Sequence, residues 1–322
     1  MEVLILELFV KLDYRCNNKC VFCSTGKKDG FLGNDEVNSL IENIDINKFD
    51  TVTISGGEVT LRKDFLDIMK RLKEKGLKIR LQTNARTMKD LKFAEELSEI
   101  GVENYLISFH NDDPRIFEEI TQVPGSFSET VEGITNLIKC NQNITTNTVV
   151  SNINYTNLKD IAKKLCDIGV NTIKFVFVRG FGRAEDDYSN FCPRFTEVSP
   201  YLNKAIKYIL SLNRNVMTEG IPFCILPENY NVAGELYIPE NIDYKDFQHD
   251  QPDFTEYEHI YHNKGADCHK CNFNSLCKGP WKEYIELYGT GEFIPIVDTD
   301  PLDVIPLELL TCKLFQMEEV AK

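Results

Sequence analysis

The chain has 322 residues, with 36 Lys and Arg against 50 Asp and Glu, and its formal net charge of −14 argues against a broad nucleic-acid surface. A hydrophobic fraction of 42% with 27% charged residues is ordinary for a globular protein, and the length allows one large domain or a domain with an appendage. Met1-Glu2-Val3-Leu4-Ile5-Leu6 lacks the basic start and cleavage site of a signal peptide, and no apolar run reaches spanning length, so a cytoplasmic setting away from membranes is expected.

Apolar, β-branched segments alternate with helical patterns through the first two-thirds of the chain. Residues 4–13 read as a first strand that runs directly into Cys16-Asn17-Asn18-Lys19-Cys20-Val21-Phe22-Cys23. Residues 51–55 form a second strand, followed by a helix with Phe65, Ile68, Met69 and Leu72 on one face at helical spacing. Residues 77–83 make a third strand, and the next helix presents Phe93, Ala94, Leu97 and Ile100. Strands four to six fall at 104–109, 145–150 and 172–178. Leu158, Ile161, Ala162 and Leu165 mark a helix between the last two, and Leu202, Ala205, Ile206 and Ile209 mark one after the sixth. Six strand–helix repeats imply an α/β fold with a parallel sheet and right-handed crossovers. The pattern leaves open whether the sheet is doubly wound or a partial barrel. From about Met217 the repeat stops and composition shifts toward Pro, Tyr, Glu and Asn, which divides the chain into a core over 1–215 and an appendage over 216–322.

Eleven cysteines in a chain without a secretory signal point to metal ligands or reactive thiols. The Cys-x3-Cys-x2-Cys loop brings three thiolates together and supplies no fourth, so a cubane iron–sulfur cluster there would keep one iron open. Other strand ends carry polar groups, where function gathers in βα architectures. Ser55-Gly56-Gly57-Glu58 combines close backbone approach with a carboxylate, Gln82-Thr83-Asn84-Ala85-Arg86 ends the third strand, and Ser108-Phe109-His110 ends the fourth. Thr83 or Asn84 serves equally well as a helix cap. His110 reads more simply as a satisfied loop histidine, and Asn147 as a polar contact. Gly180-Phe181-Gly182-Arg183-Ala184 is a glycine-rich turn after the sixth strand. In the appendage, Cys268, Cys271 and Cys277, with Cys224 upstream, suit either a zinc site or an iron–sulfur cluster. Cys192 and Cys312 are reserves for the fourth ligand, and Cys140 and Cys166 fall on helical patterns as core residues. Leu309, Leu310, Leu314 and Phe315 suggest a final amphipathic helix.

Cys16, Cys20 and Cys23 with Phe22 resemble the signature of the radical S-adenosylmethionine (SAM) superfamily. The resemblance implies a (β/α)6 partial TIM barrel whose 4Fe–4S cluster cleaves SAM reductively to methionine and a 5′-deoxyadenosyl radical, with electrons from a reduced flavodoxin or ferredoxin. Gly56, Gly57 and Glu58 look like the motif for the SAM methionine amine, with Val59 where a proline is common. Thr83 and Asn84 are similar to a Thr-Asn-Gly-Arg segment, and Ala85 in place of its glycine suggests that no positive φ is needed there. Ser108 resembles a contact to the SAM carboxylate or ribose, and Gly182 the turn against adenine. Cys268 to Pro295 is similar to the Twitch and SPASM auxiliary-cluster domains, which implies a second 4Fe–4S cluster on Cys224, Cys268, Cys271 and Cys277. The resemblance favours oxidative or cross-linking modification of a peptide. A small-molecule or cofactor precursor is the alternative substrate, although the chain ends without the Gly-Gly of the molybdenum-cofactor cyclase. The non-enzymatic alternative is a zinc-binding interaction protein.

Overall fold

The computed structural model describes residues 6–237, 242–246 and 261–310. Eight strands form one sheet: β1 (Leu6–Asp13), β2 (Phe49–Gly56), β3 (Lys78–Thr83), β4 (Asn104–Ser108), β5 (Ile144–Val150), β6 (Thr172–Phe177), β7 (Asn215–Glu219) and β8 (Ile242–Asp246). Their order is β7-β6-β5-β4-β3-β2-β1-β8, and every pairing is parallel. Strands β1 to β7 therefore follow one another in sequence without reversal. A doubly wound sheet needs a reversal of strand order. With right-handed crossovers throughout, an unreversed order puts the helices on one face and leaves the other to line an interior. The partial barrel follows from strand order alone.

The six expected strands are present, and two more extend the sheet. The boundary expected at 215/216 falls at the start of β7, which pairs with β6 from Thr172 to Val176. Strand β8 pairs with β1 on the other side, opposite Glu7 to Lys11. Both are short, and neither carries an apolar run that would announce it.

The helices are α1 (Asn34–Asn43), α2 (Phe65–Glu74), α3 (Leu91–Ile100), α4 (Pro114–Thr121), α5 (Ser126–Lys139), α6 (Leu158–Ile168), α7 (Tyr188–Phe191), α8 (Phe195–Ser211), α9 (Lys282–Tyr288) and α10 (Pro301–Val304). Their buried faces are the predicted ones: Phe65, Ile68, Met69 and Leu72 on α2, and Leu202, Ala205, Ile206 and Ile209 on α8. Asp90 and Asp113 start α3 and α4 by accepting the Lys92 and Arg115 backbone N–H groups. Cys166 is buried on α6, and Cys140 is half-buried just past α5. Leu310 is buried, whereas Cys312, Leu314 and Phe315 lie outside the described residues.

Side chains alternate across the strands with period two. Val10, Leu12, Ile54, Leu81, Ile107, Ile173 and Phe175 are buried beneath the helices. The intervening positions meet inside the barrel, where polar side chains such as Lys11, Ser55, Gln82 and Asn147 stand among the apolar Phe9, Val149 and Val176. Ser55 Oγ donates to Gln82 Oε1 at 2.7 Å, Arg80 pairs with Glu7 at 2.7 Å, and Lys174 forms an ion pair with Glu219.

The appendage packs on the barrel through a shared aromatic core. Trp281 Nε1 donates to the Phe177 carbonyl at 3.1 Å, and the Phe195 N–H donates to Tyr284 Oη at 3.0 Å. The Phe195 ring stacks on Phe177 at 4.1 Å and lies tilted against Tyr284 at 4.5 Å. Replacing the fully buried Phe195 by Ala is expected to lower the unfolding free energy by about 3–5 kcal/mol. Far-UV circular dichroism and the emission of Trp281, the only tryptophan, should report one coincident urea transition in the wild type. Two separated transitions would show that the appendage does not share the barrel core.

Candidate functional site

A cavity of about 410 Å³ opens at the C-terminal ends of the strands. Cys16, Cys20 and Cys23 line it together with Gly56, Gly57, Thr83, Asn84, Ser108 and Asn147. The cysteine loop follows β1 and has no regular structure, so its backbone groups are satisfied by other elements. The Lys19 and Val21 N–H groups donate to the Thr121 and Ile120 carbonyls at the end of α4, at 2.9 and 3.0 Å. Arg86 donates to the Asn17 carbonyl at 2.6 Å and to Asn18 Oδ1 at 2.7 Å, and Glu129 holds it from behind at 2.7 Å. Asn84 Nδ2 donates to Asn17 Oδ1 at 2.7 Å. From the other side, Arg183 donates to the carbonyls of Cys20 and Gly26.

Burial pushes the Cys16 thiol up to about 11 and the Cys20 thiol up to about 12, and the neighbouring thiols add to both shifts. Neighbouring thiolates repel one another unless a cation joins them. Phe22 is buried between the second and third cysteines, edge-on to His110 at 5.1 Å. His110 accepts the Val149 N–H at Nδ1, and burial lowers its pKa to about 4, so it is a neutral wall residue.

Gly56 and Gly57 are where β2 passes against the end of β1. Gly56 has φ +151°, and a Cβ there would meet the Asp13 carbonyl oxygen at 2.0 Å; at Gly57 it would meet the carbonyls of Tyr14 and Arg15 at 2.4 Å. The two glycines thus set where the cysteine loop begins. The Glu58 carboxylate lies behind the cavity wall. It is fully buried and accepts from Thr60 Oγ1 at 2.5 Å, Thr83 Oγ1 at 2.8 Å and the Asn84 N–H at 2.6 Å. Burial raises its pKa and these hydrogen bonds oppose the rise. Glu58 thereby ties the end of β2 to the end of β3.

Ala85 corrects one expectation, since it sits at φ +60° in the left-handed region. Such a conformation costs a non-glycine residue roughly 1–2 kcal/mol. Full burial and a 3.0 Å hydrogen bond from its N–H to Thr83 Oγ1 hold it there. Asn147 presents an Oδ1 that is buried without a protein partner, although the residue lines the cavity. Gly182, at φ +66°, lies against the cysteine loop, where a Cβ would meet the Cys23 carbonyl at 2.4 Å.

Sequence reasoning missed Lys11, Arg179 and Glu219, all on the cavity wall. Their signal is a charge on the inner face of a strand, or just past its end, where the opposite face is core. In the appendage, Cys224, Cys268, Cys271 and Cys277 line a second, apolar cavity with Phe223, Pro280 and Phe293. The Gly279 and Ile296 N–H groups donate to the Cys277 and Cys271 sulfurs at 3.4 Å. Cys192 is buried apart from them, with its Sγ toward the Pro193 carbonyl. Among the described residues no three Cys, His, Asp or Glu side chains close on a point that would hold a single ion. Both thiol sets border a cavity.

Fold and site together define a class: an α/β partial barrel with a three-thiol loop at its mouth. Residues 10–165, just under half of the chain, match the family described as the radical SAM superfamily. Its fold implies a 4Fe–4S cluster and SAM. The chain is 39% identical over 133 residues to a probable GTP 3′,8-cyclase of Sulfolobus acidocaldarius, covering 40% of this chain and 41% of that relative. It is 30% identical over 190 residues to a probable GTP 3′,8-cyclase of Sulfurisphaera tokodaii, covering 57% and 59%. The chain thus spans about two-fifths to three-fifths of these relatives. In fold it is similar to SuiB of Streptococcus suis bound to SAM, with a TM-score of 0.65, 16% identity, and 91% of this chain and 76% of that one covered; SuiB is also solved with the precursor peptide SuiA.

Changing Glu58 to Gln turns one acceptor into a donor facing the Asn84 N–H or the Thr83 hydroxyl. This should destabilise the fold by about 1–3 kcal/mol, read as a lower melting temperature. A variant with wild-type melting and weakened SAM binding would instead put the carboxylate on the ligand.

Proposed function

We propose that the protein is a radical SAM enzyme acting on a small polar molecule or cofactor precursor. The observation that carries this reading is one cavity bordered by the three-cysteine loop, by polar strand ends and by the charged wall of Lys11, Arg179 and Glu219. Cys16, Cys20 and Cys23 are the residues to hold the 4Fe–4S cluster. With cluster and SAM bound, the chemistry supplied there is reductive cleavage of the sulfonium to a 5′-deoxyadenosyl radical.

The chain's own residues position these groups. Arg86, Asn84 and Arg183 hold the loop carbonyls so that the thiols share one face. Ser108 and Asn147 offer polar atoms to SAM, and the buried Asn147 Oδ1 is suited to a donor such as a ribose hydroxyl or an ammonium. Thr83 borders the same space, Gly182 packs against the cysteine loop beside it, and Phe22 with His110 keeps water from the inner side. Glu58 acts through Thr83 and Asn84. Cys224, Cys268, Cys271 and Cys277 are suited to a second 4Fe–4S cluster. Reduced flavodoxin or ferredoxin is the fitting electron source, and the cytoplasm the fitting setting; among the described residues no helix is long and apolar enough to cross a membrane.

The small-molecule reading draws on the sequence relatives, which are named as GTP 3′,8-cyclases. The peptide reading has its own support, because the fold similarity to SuiB extends into the appendage. Anaerobic turnover decides between them. Wild-type protein should release 5′-deoxyadenosine under dithionite, and Cys20→Ala should not. The triple Cys16, Cys20 and Cys23 to Ala variant should retain about four irons in the appendage. A triple variant that holds zinc alone would replace the second cluster with a structural zinc site. Deuterium transfer into 5′-deoxyadenosine from a labelled peptide, and from no small molecule, would overturn the small-molecule reading.

A further inference from the structure

One wall of the main cavity lies beyond the superfamily match at 10–165. It includes Arg179, just past β6, and appendage side chains pack against that arginine. The Arg179 guanidinium lies 4.3 Å from the centre of the Trp281 ring, 5.1 Å from Tyr261 and 5.9 Å from Phe181. Trp281 is itself fixed by its bond to the Phe177 carbonyl and by the His262 ring 4.1 Å away. His262 Nδ1 is in turn 2.7 Å from the Gly279 carbonyl oxygen. A guanidinium held among aromatic faces has lost much of its rotamer freedom before a ligand arrives, and it presents a planar fork of donors suited to two oxygens of one oxyanion.

Two carboxylates lie near it: Glu219, on the same wall, is paired with Lys174 and also feels Arg179, and Glu283 faces Arg179 from α9 without lining the cavity. Lys11 enters from β1 as a second cation. In a chain of net charge −14, Lys11 and Arg179 both line this cavity. The loop that carries Arg179 also carries Arg183, which braces the cysteine loop, so the fork is tied to the site of radical formation.

We infer that Arg179, clamped by Trp281 and Tyr261 and seconded by Lys11, anchors an acidic group of the substrate, a phosphate or a carboxylate. The inference rests on the small-molecule reading above and narrows it to oxyanion-bearing substrates. The SAM carboxylate is the competing ligand; Ser108 and Asn147, the polar groups offered to SAM, lie on β4 and β5, and of the SAM set Gly182 alone shares the loop of Arg179.

Anaerobically reconstituted protein saturated with SAM is titrated with pyrophosphate and, separately, with citrate. Calorimetry and Trp281 emission are the readouts. Wild type should bind at least one of the two with a change in emission, and the tighter one distinguishes phosphate from carboxylate. Arg179→Gln should weaken that binding roughly tenfold or more, since a charge-assisted bidentate contact is lost. Arg179→Lys, which keeps charge but not the fork, should fall between. SAM affinity and iron content should stay at wild-type levels in both. Anion binding that is equal in wild type and Arg179→Gln, or absent in wild type, overturns the inference. So does a parallel loss of SAM affinity, which would give Arg179 to the SAM carboxylate. Should Arg179→Gln fail to fold by circular dichroism, Arg179→Lys and Lys11→Met decide, each expected to weaken the anion about threefold or more. Formation of 5′-deoxyadenosine is measured on the same samples. Its absence in wild type with anion binding intact would sink the radical SAM reading and leave this inference standing.

Discussion

Three thiols on a loop without regular structure face one cavity only if the loop is held at both ends and along its carbonyls. The close pass of Gly56 and Gly57 against Asp13, Tyr14 and Arg15 fixes where the loop leaves β1, because any side chain there would meet backbone oxygen. Arg86 and Arg183 then meet the loop from opposite sides of the barrel mouth. A guanidinium donates several hydrogen bonds in fixed directions, so each arginine sets orientation as well as distance. The remaining strand ends take their places relative to this loop: Glu58 ties β2 to β3, and Asn84 reaches from β3 to Asn17.

Each of these braces is at least half-buried, and each joins elements distant in sequence. Loss of one partner would strand a polar group away from water, which costs more than the net gain of making the bond. The same logic explains Ala85, whose left-handed backbone is tolerated because its neighbours on every side are fixed. Strain of this kind persists where the surroundings determine the conformation, and here it lies directly beneath the cavity.

The barrel interior carries charged residues for a related reason. A parallel sheet that curls on itself turns one face inward, and the ligand cavity at its mouth keeps that face wet. Glu7, Arg80, Lys174 and Glu219 pair with one another across strands, which lets charged residues occupy positions that a closed apolar core would refuse. The appendage completes the arrangement. Trp281 touches the barrel through Phe177 and Arg179, while its neighbours Gly279 and Pro280 border the second thiol cavity.

The helical faces, six strands and the three-cysteine loop were legible in the sequence, because period and spacing are local properties. Phe65, Ile68, Met69 and Leu72 stand on one face whatever lies opposite, and Cys-x3-Cys-x2-Cys converges within one loop. Strands β7 and β8 were not legible, since Asn215–Glu219 and Ile242–Asp246 are short and owe their pairing to the edges they meet. The positive φ at Ala85 was read wrongly, because its cause is contact with residues far along the chain. The role of Glu58 could not be read either: a carboxylate beside two glycines looks the same in sequence whether it faces a ligand or lies behind the wall. Arg179 shows the division most clearly. Its type and place after β6 are sequence facts, but the aromatic clamp is assembled from residues some eighty to one hundred positions away, and only the folded chain brings them together.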